Sequence, residues 1–418
     1  MKINKYLPFA FIYFFINSLG LPFGLTYTAI LSPFLYYWII KERKKEILLP
    51  FLSIIFILWA IHFINGVDNK AYLISVLNIS AVYIFCQAFY TFLKRCNDIE
   101  DIYKKLLVTT FVLCIIAIPV YFTQYRNLFW IQQFLTTGFD NFLRLKLFTY
   151  EASYLATLFV PLFFFYLVQI ILSKNSINLW VLLFMILLPL MLTFSLGVIS
   201  CIVIAIGITY LIYFKRLTQK RRVLNLLLLL GVIIFISFFI ALIAFPANPL
   251  FIRIENFVSG TDLSGKGRTS DAFILANKML DEKSHFWGIG LGQIKILGGE
   301  IIREYYSYPL DFTAFAIPNA SAETLAIYGW FGFVVRFFIQ IFLFFYTKVW
   351  RNYYRLLLFI FVFIYQFTGS FITNLAEYVI WILAFTEVFS QFDVSSKTKS
   401  FDSEKVLNNR KSLVQTYL

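Results

Sequence analysis

Charged residues are scarce in this sequence. Asp, Glu, Lys and Arg make up 14% of the 418 residues, whereas an average soluble domain contains about 25% of them. Hydrophobic residues account for 60% of the chain, and 52 of them are Phe. This composition excludes a soluble globular protein and predicts that the lipid bilayer is the solvent for most of the chain.

Cysteine and histidine are also rare. The four cysteines show neither metal-ligand spacing nor a disulfide framework. Of the two histidines, His62 lies in an apolar run, where we expect a hydrogen-bonded structural residue, and His285 lies in a hydrophilic segment. Nothing near His285 in the sequence completes a catalytic triad or a metal site. The sequence therefore predicts neither a metal nor another cofactor.

Long apolar runs are abundant, and about twelve of them can cross roughly 30 Å of hydrocarbon as helices. Two stretches, 6–40 and 178–214, exceed one crossing, so we expect breaks at 20–24 and 195–197. The first run lacks a small-residue cleavage site, which favours an uncleaved span. The predicted spans lie near 6–20, 25–40, 47–64, 71–92, 106–122, 153–172, 178–194, 197–214, 224–245, 322–346, 353–371 and 373–390. This pattern predicts an all-α polytopic integral membrane protein.

The basic residues predict which side of the membrane each loop faces. With a cytoplasmic N-terminus, two thirds of the 36 Lys and Arg residues fall in cytoplasmic segments, as the positive-inside rule requires. Both termini are then cytoplasmic. The predicted parts are a membrane domain of about nine helices at 1–245 with an external loop at 123–150, a large extracytoplasmic loop at 246–320, three C-terminal helices at 321–390 and a cytoplasmic tail at 391–418.

Charge is almost absent from the predicted spans. Only Arg336 lies deep in one, either snorkelling towards the interface or paired with a buried acid. A secondary transporter is expected to bind its substrate among ionisable groups near the bilayer midplane. The polar residues instead concentrate in the loop at 246–320, whose acids and bases nearly balance, so no basic patch for nucleic acid is predicted. This distribution favours a membrane enzyme with an external site over a transporter.

Arg268 is a candidate anion-binding group in this loop. The residues after it, 272–282, carry apolar side chains at helical spacing, and Ser270 or Thr269 can cap the helix. A guanidinium beside a helix N-terminus suits a pyrophosphate, and the alternative is that Arg268 pairs with an acid of the loop. The glycine-rich segment 287–292 does not match a dinucleotide-binding fingerprint, so we interpret it as a tight turn.

Four further candidates lie in the same loop and at the start of the next span. Tyr305 and Tyr306 can cover the C–H faces of a sugar, although tyrosine also populates membrane interfaces for physical reasons alone. Glu323 can act as a general base for a hydroxyl or cap the external end of a helix. Asn319 precedes it by four residues.

In the other external loop, Arg144 and Glu151 are seven residues apart. A helix would place them two turns apart on one face, and an ordinary surface pair is the alternative.

From Arg144 to Gly332 the order of motifs resembles that of the bacterial O-antigen polymerase and O-antigen ligase family. The matching pieces are Arg144 with 151–156, the break at 193–197, Gly267 and Arg268 followed by 288–292, and Pro318 and Asn319 followed by 329–332.

The resemblance implies a membrane glycosyltransferase of the bacterial inner membrane that needs no metal. It would join oligosaccharide repeat units, carried on polyprenyl pyrophosphate, into a surface polysaccharide such as O-antigen or capsule, with a chain-length regulator as a protein partner. By this resemblance Arg144 and Arg268 bind the pyrophosphate, and they form the catalytic set with Glu151. The predicted substrate-binding residues are Arg144, Arg268, Asn319, Glu323, Tyr305 and Tyr306.

Two positions depart from the family pattern. Leu196 stands where many members have Arg, and Pro318 stands where the ligases have the His that is implicated in activating the acceptor. Both departures favour a polymerase over a ligase that transfers glycan to lipid A or protein. A transporter of polysaccharide units is the alternative from another functional class.

Overall fold

A computed structural model describes residues 6–19, 21, 26–43, 48–132, 143–172, 179–214, 263–307 and 315–394. The described chain is mostly helical. Its helices are α1 Leu7–Ile16, α2 Tyr27–Ile30, α3 Ser32–Arg43, α4 Leu48–Ile64, α5 Asn69–Arg95, α6 Ile99–Val120, α7 Ala152–Leu172, α8 Leu179–Thr193, α9 Leu196–Ile212, α10 Leu263–Arg268, α11 Ser270–Asp281, α12 Gly298–Tyr306, α13 Ala320–Tyr346, α14 Tyr353–Tyr365 and α15 Leu375–Phe385. Strands β1, Trp130–Gln132, and β2, Leu143–Leu145, pair in antiparallel fashion.

Four of the described helices, α5, α6, α7 and α13, are long and apolar enough to cross a membrane. Six shorter apolar helices accompany them, namely α1, α4, α8, α9, α14 and α15. This is compatible with a membrane protein, while twelve spans and their orientation stay predictions. The predicted ninth span at 224–245, most of the tail at 391–418 and part of the loop at 246–320 lie outside the described residues.

Helix α7 lies at the centre of the bundle. It packs against α8, α14 and α15, and nearly all of its residues are buried. Its sequence is apolar on every face, as expected for a helix that other helices surround. Phe159 and Phe164 are among its fully buried side chains. Helix α14 packs in turn against α9 and α15.

The segments predicted to be external meet at one end of the bundle. The turn between α4 and α5 contacts the large loop there, because the Gln293 side chain accepts from Asp68 N (3.0 Å) and donates to Asp68 O (3.1 Å). The Asn319 side chain, just before α13, donates to Phe367 O in the turn after α14 (2.7 Å). Polar side chains of distant loops therefore converge at this end.

The segments predicted to be cytoplasmic meet at the opposite end. Here the hydroxyls of Tyr103 on α6 and Tyr354 on α14 lie 3.0 Å apart. The Asn352 side chain, between α13 and α14, donates to Asp393 Oδ1 (2.7 Å) beyond α15. The two sets of loops thus occupy different ends of the bundle.

Helix α13 is broken at Gly329, whose φ is 64°. A helix that breaks inside a bilayer exposes backbone groups that lipid cannot satisfy. Here the segment just before and within the glycine-rich turn of the large loop takes up these groups. The four backbone hydrogen bonds are Ile289 N to Ala326 O (2.9 Å), Gly290 N to Ile327 O (2.9 Å), Trp330 N to His285 O (3.0 Å) and Phe331 N to Phe286 O (3.1 Å).

The glycine-rich segment is a tight turn that fits closely against its neighbours. Gly288 has a φ of 80°, and a Cβ there would lie 2.4 Å from Ile327 O. His62 is fully buried, and its Nε2 donates to Trp287 O at 2.8 Å. His62 is therefore a hydrogen-bonded structural residue that ties α4 to this turn.

Replacing Gly329 by Ala should destabilise the protein by at least about 1–3 kcal/mol, because the new residue would be held at positive φ. The added Cβ would also lie 2.3 Å from Phe286 O. The measurement is the thermal unfolding midpoint of the detergent-solubilised protein.

The matched control is Gly207→Ala on α9, where nothing lies within 4 Å of the new Cβ. This change should leave the midpoint unchanged or raise it, since Ala in a helix is more favourable than Gly by about 1 kcal/mol. Equal unfolding midpoints for the two variants would contradict the close packing at Gly329.

Candidate functional site

Arg268 is the last residue of α10 and is half-buried. Among the residues that the structure describes, its guanidinium makes no hydrogen bond or ion pair. It lies against Gly369, where a Cβ would come within 3.3 Å of Nη1. The absence of a side chain at Gly369 thus leaves room for the guanidinium beside the turn that follows α14.

The predicted caps of helix α11 are wrong. Thr269 Oγ1 donates to Gly265 O (2.9 Å) and Ser270 Oγ donates to Asp271 Oδ1 (3.2 Å), so neither side chain accepts from the first amides of α11. The reason is that the residues before Thr269 already form helix α10, whose free carbonyl takes the hydroxyl. Arg268 nevertheless stands directly before α11, as predicted.

Asn319 fixes the backbone of Arg268. Its Oδ1 accepts from Ala322 N (2.9 Å) and so caps α13, while Nδ2 donates to Arg268 O (2.8 Å) and Phe367 O (2.7 Å). The residue is fully buried. Because both ends of this side chain are engaged, Asn319 positions the backbone of Arg268, and its predicted contact with the substrate stays a prediction.

Glu151 lies just before α7. Its backbone carbonyl accepts from Thr149 Oγ1 (2.9 Å), and its half-buried carboxylate has no hydrogen bond or ion pair in the described part of the chain. Tyr365, at the end of α14, interacts electrostatically with both Glu151 and Arg268. The structure therefore brings a free carboxylate and a free guanidinium to the surroundings of one tyrosine, which sequence reasoning missed.

Arg144 has different neighbours. It lies in β2 opposite Ile131, is 5% exposed, and its Nε donates to Thr193 O (2.8 Å) at the end of α8. The helical spacing considered for Arg144 and Glu151 does not occur, because the chain runs as a strand and then a turn between them. Arg144 thus joins the β-hairpin to the break between α8 and α9.

Tyr305 and Tyr306, at the end of α12, lie beside the start of α11. Tyr306 Oη donates to Asp271 Oδ2 (3.1 Å) and lies 3.1 Å from where a Cβ on Gly267 would be. Desolvation, followed by the charge of Asp271, raises the pKa of Tyr305, so its hydroxyl stays protonated at neutral pH. Both tyrosines are therefore neighbours of the segment that carries Arg268.

Arg336 pairs with a buried acid and does not snorkel. Its Nη2 donates to Glu377 Oε1 (2.8 Å), its Nε to Gln366 Oε1 (3.0 Å) and its Nη1 to Thr324 Oγ1 (2.9 Å). Glu377 is 1% exposed. This pairing joins α13 to α15 across 41 residues, so the sequence gave no local signal for it.

Glu323 lies in the first turn of α13, close to this ion pair. Its Oε2 accepts from Ile372 N (2.7 Å), in the segment before α15, and does not cap its own helix. Arg336 and Glu377 both act on it electrostatically. Glu323 therefore clips the segment before α15 to α13.

The chain matches no protein-family model and no curated protein. Its resemblance to the O-antigen polymerase and ligase family therefore stays a prediction. Among the described residues, no group of three or more His, Cys, Asp or Glu side chains can hold a metal ion. The candidate site consists instead of Arg268, Glu151 and Tyr365, with Asn319 and Gly369 as supports.

Replacing Glu377 by Leu, or Arg336 by Met, should each destabilise the protein by about 3–5 kcal/mol, because each leaves a buried charge without its partner. The double variant should recover most of this loss, since it removes both charges. The thermal unfolding midpoints of the wild type, the two single variants and the double variant give the coupling energy between Arg336 and Glu377.

The exposed pair Lys105–Asp101 serves as control for this cycle. Its N–O distance is 2.6 Å, but both side chains are open to solvent, so a Lys105→Met and Asp101→Leu cycle should give a coupling below about 1 kcal/mol. A double variant at Arg336 and Glu377 that is no more stable than either single variant would contradict the pairing.

Proposed function

We propose that this chain is a glycosyltransferase of the bacterial inner membrane that joins oligosaccharide units carried on polyprenyl pyrophosphate. The observation that carries the proposal is that Tyr365 interacts electrostatically with both the Arg268 guanidinium and the Glu151 carboxylate, neither of which has a hydrogen bond or ion pair among the described residues. They lie at the bundle end whose loops the positive-inside rule predicts to be external. The order of motifs in the sequence supports the same function.

Arg268 is proposed to bind the pyrophosphate of the donor. A guanidinium offers two parallel N–H donors to phosphate oxygens, and Asn319 fixes the backbone from which it extends. The leaving group already carries negative charge, so its departure depends on electrostatic stabilisation more than on proton donation. A fixed cation at this point therefore supplies what the reaction needs.

Glu151 is proposed to accept the proton of the attacking hydroxyl. In this step a sugar hydroxyl of a second lipid-linked unit forms a bond to the anomeric carbon of the donor, while the bond from that carbon to the pyrophosphate oxygen breaks. The hydroxyl proton passes to the carboxylate, and polyprenyl pyrophosphate leaves. The half-buried carboxylate of Glu151, which no described cation neutralises, supports this role.

Arg144 is proposed to have a mainly structural role, in which it positions the β-hairpin. The resemblance implies that it binds the same pyrophosphate, but its Nε bond to Thr193 O and its burial support a role in holding the external hairpin against α8. Tyr305 and Tyr306, beside the start of α11, are proposed to border the bound sugar. A ligase is less favoured, because Pro318 stands where ligases have histidine.

A transporter of lipid-linked units is the second candidate. Two observations favour it: α13 is broken at Gly329, and the ion pair of Arg336 and Glu377 lies within apolar helices. Discontinuous helices and buried ionisable groups are typical of transporter binding sites. In this chain, however, other protein groups take up the freed backbone groups at the break and the hydrogen-bonding groups of Arg336.

Replacing Arg268 or Glu151 by Gln should reduce polymer formation by about 100-fold or more, because the first change removes the cation that stabilises the leaving pyrophosphate and the second removes the proton acceptor. The measurement is the electrophoretic ladder of surface glycan in a deletion strain that carries each variant, with membrane insertion checked by immunoblot. The control is Lys266→Gln, which removes an exposed cation two residues from Arg268. If Arg268→Gln and Lys266→Gln give the same ladder, the proposed site is wrong.

The double variant Arg336→Met/Glu377→Leu separates the polymerase from the transporter. A polymerase should keep its ladder, since these residues hold the fold and touch no substrate. A transporter should lose all surface glycan and accumulate single lipid-linked units on the cytoplasmic leaflet. The ladder and the leaflet distribution of the lipid-linked unit are measured in the same strain.

A further inference from the structure

An open cavity of about 290 Å³ lies beside the candidate site. Five distant parts of the chain form its walls: the start of α2, the middle of α5, the residues around the start of α7, and two segments that follow α11 and α14. Its polar lining includes Asn78, Tyr150, Lys295 and Thr373, and its apolar lining includes Val82 and Phe371. None of the described lining residues is acidic.

Several polar side chains of this cavity have no hydrogen-bond partner in the described part of the chain. Within the described ranges, the side chains of Asn78, Tyr150, Lys295 and Thr373 make no hydrogen bond and no ion pair. The Tyr150 hydroxyl is protonated at neutral pH and can donate, because the ordinary pKa of tyrosine is about 10 and desolvation raises this pKa further. The cavity therefore offers an amide, two hydroxyls and an ammonium group to a ligand.

The walls are held in place by other contacts, so the cavity is preformed. Gln293 bonds to Asp68 in both directions and so fixes the turn that carries Lys295. Glu323 accepts from Ile372 N, next to Thr373. A ligand that binds between fixed walls loses less affinity to ordering of the protein.

We infer that this cavity binds one sugar ring that carries an acidic substituent, such as a uronate. The amide and hydroxyls can exchange hydrogen bonds with sugar hydroxyls, while Val82 and Phe371 can cover C–H faces. Lys295 attracts a negative charge, and no acid of the described lining opposes it. The volume is at the lower end of the ~300–1,000 Å³ typical of small-molecule sites, which fits one ring better than a whole repeat unit.

The inference rests on the proposed function for its place in the reaction. Tyr150 lines the cavity and directly precedes Glu151 in the chain, so a ring bound here lies beside the proposed base. The cavity then holds the terminal sugar of the acceptor, whose hydroxyl Glu151 deprotonates. This acceptor sugar is therefore the acidic one. Binding itself needs no catalysis and is measured separately.

The test uses the full-length protein in lipid nanodiscs and four simple probes: the methyl glycosides of glucose and galactose and those of their uronic acids. Saturation-transfer NMR titrations give the affinities. We expect at least one uronide to bind about three- to fivefold more tightly than its neutral counterpart, the range for one exposed ion pair. Equal affinities in both sugar pairs would overturn the preference for an acidic ring.

Variants then assign the binding to this cavity. Lys295→Gln should abolish the preference for the uronide while the neutral glycoside still binds, and Asn78→Leu should weaken both by about fivefold, the loss of one hydrogen bond. Lys278→Gln and Asn277→Leu, which replace an exposed cation and an exposed amide on α11 outside the cavity, should change neither. Equal effects of cavity and control variants would overturn the site.

A filling variant guards against a folding artefact. Ala81→Phe places a ring in the cavity and should abolish binding, whereas Ile74→Phe adds the same bulk at an exposed position of α5 and should not. If the uronide still binds and Arg268→Gln gives a normal ladder, the proposed polymerase function is overturned while the proposed sugar site stands. Absent sugar binding together with an Arg268-dependent ladder would overturn the sugar site alone.

Discussion

The backbone hydrogen bonds across the break in α13 hold together the end of the structure whose loops are predicted to be external. An unpaired backbone group in a bilayer is strongly unfavourable, so α13 can break at Gly329 only because the segment from His285 to Gly290 takes up the freed groups. That segment is thereby fixed within the bundle. Gln293 extends the attachment to α5 through Asp68, and Lys295 acquires a defined position over the cavity. Part of the hydrophilic segment between α9 and α13 thus packs as a fixed part of the helix bundle.

The ionisable side chains considered above fall into two groups, which separates stability from function. Arg336 and Glu377 lie within helices and bond directly to each other, as expected where desolvated charge requires a partner. Arg268 and Glu151 lie at helix ends and have no bonding partner in the described part of the chain. The Arg336 guanidinium already donates to three protein groups, whereas a free guanidinium can still stabilise a charged ligand. The enzyme proposal therefore depends on the second group, and the transporter alternative on the first.

The sequence predicts features that depend on neighbouring residues. Hydropathy located the apolar helices, and the break before α9 occurs at Ser195, where Phe194 has a φ of 46°. Features that join distant segments could not be predicted. No local pattern connects Arg336 with Glu377, and none shows that Tyr365 lies near both Arg268 and Glu151. The predicted capping of α11 by Ser270 or Thr269 is wrong for a related reason. It assumed a loop before α11, whereas the residues there form helix α10.

The turn between α14 and α15 joins the two candidate subsites. At one point Gly369 leaves room for the Arg268 guanidinium, and three residues later Ile372 is clipped to α13 by Glu323. Thr373 then lines the cavity. A single short segment, fixed at several points, thus borders both the proposed pyrophosphate group and the proposed acceptor pocket. Catalysis between two large substrates depends chiefly on holding the reacting atoms in place. A segment that borders both subsites would fix the distance between the pyrophosphate of the donor and the acceptor sugar.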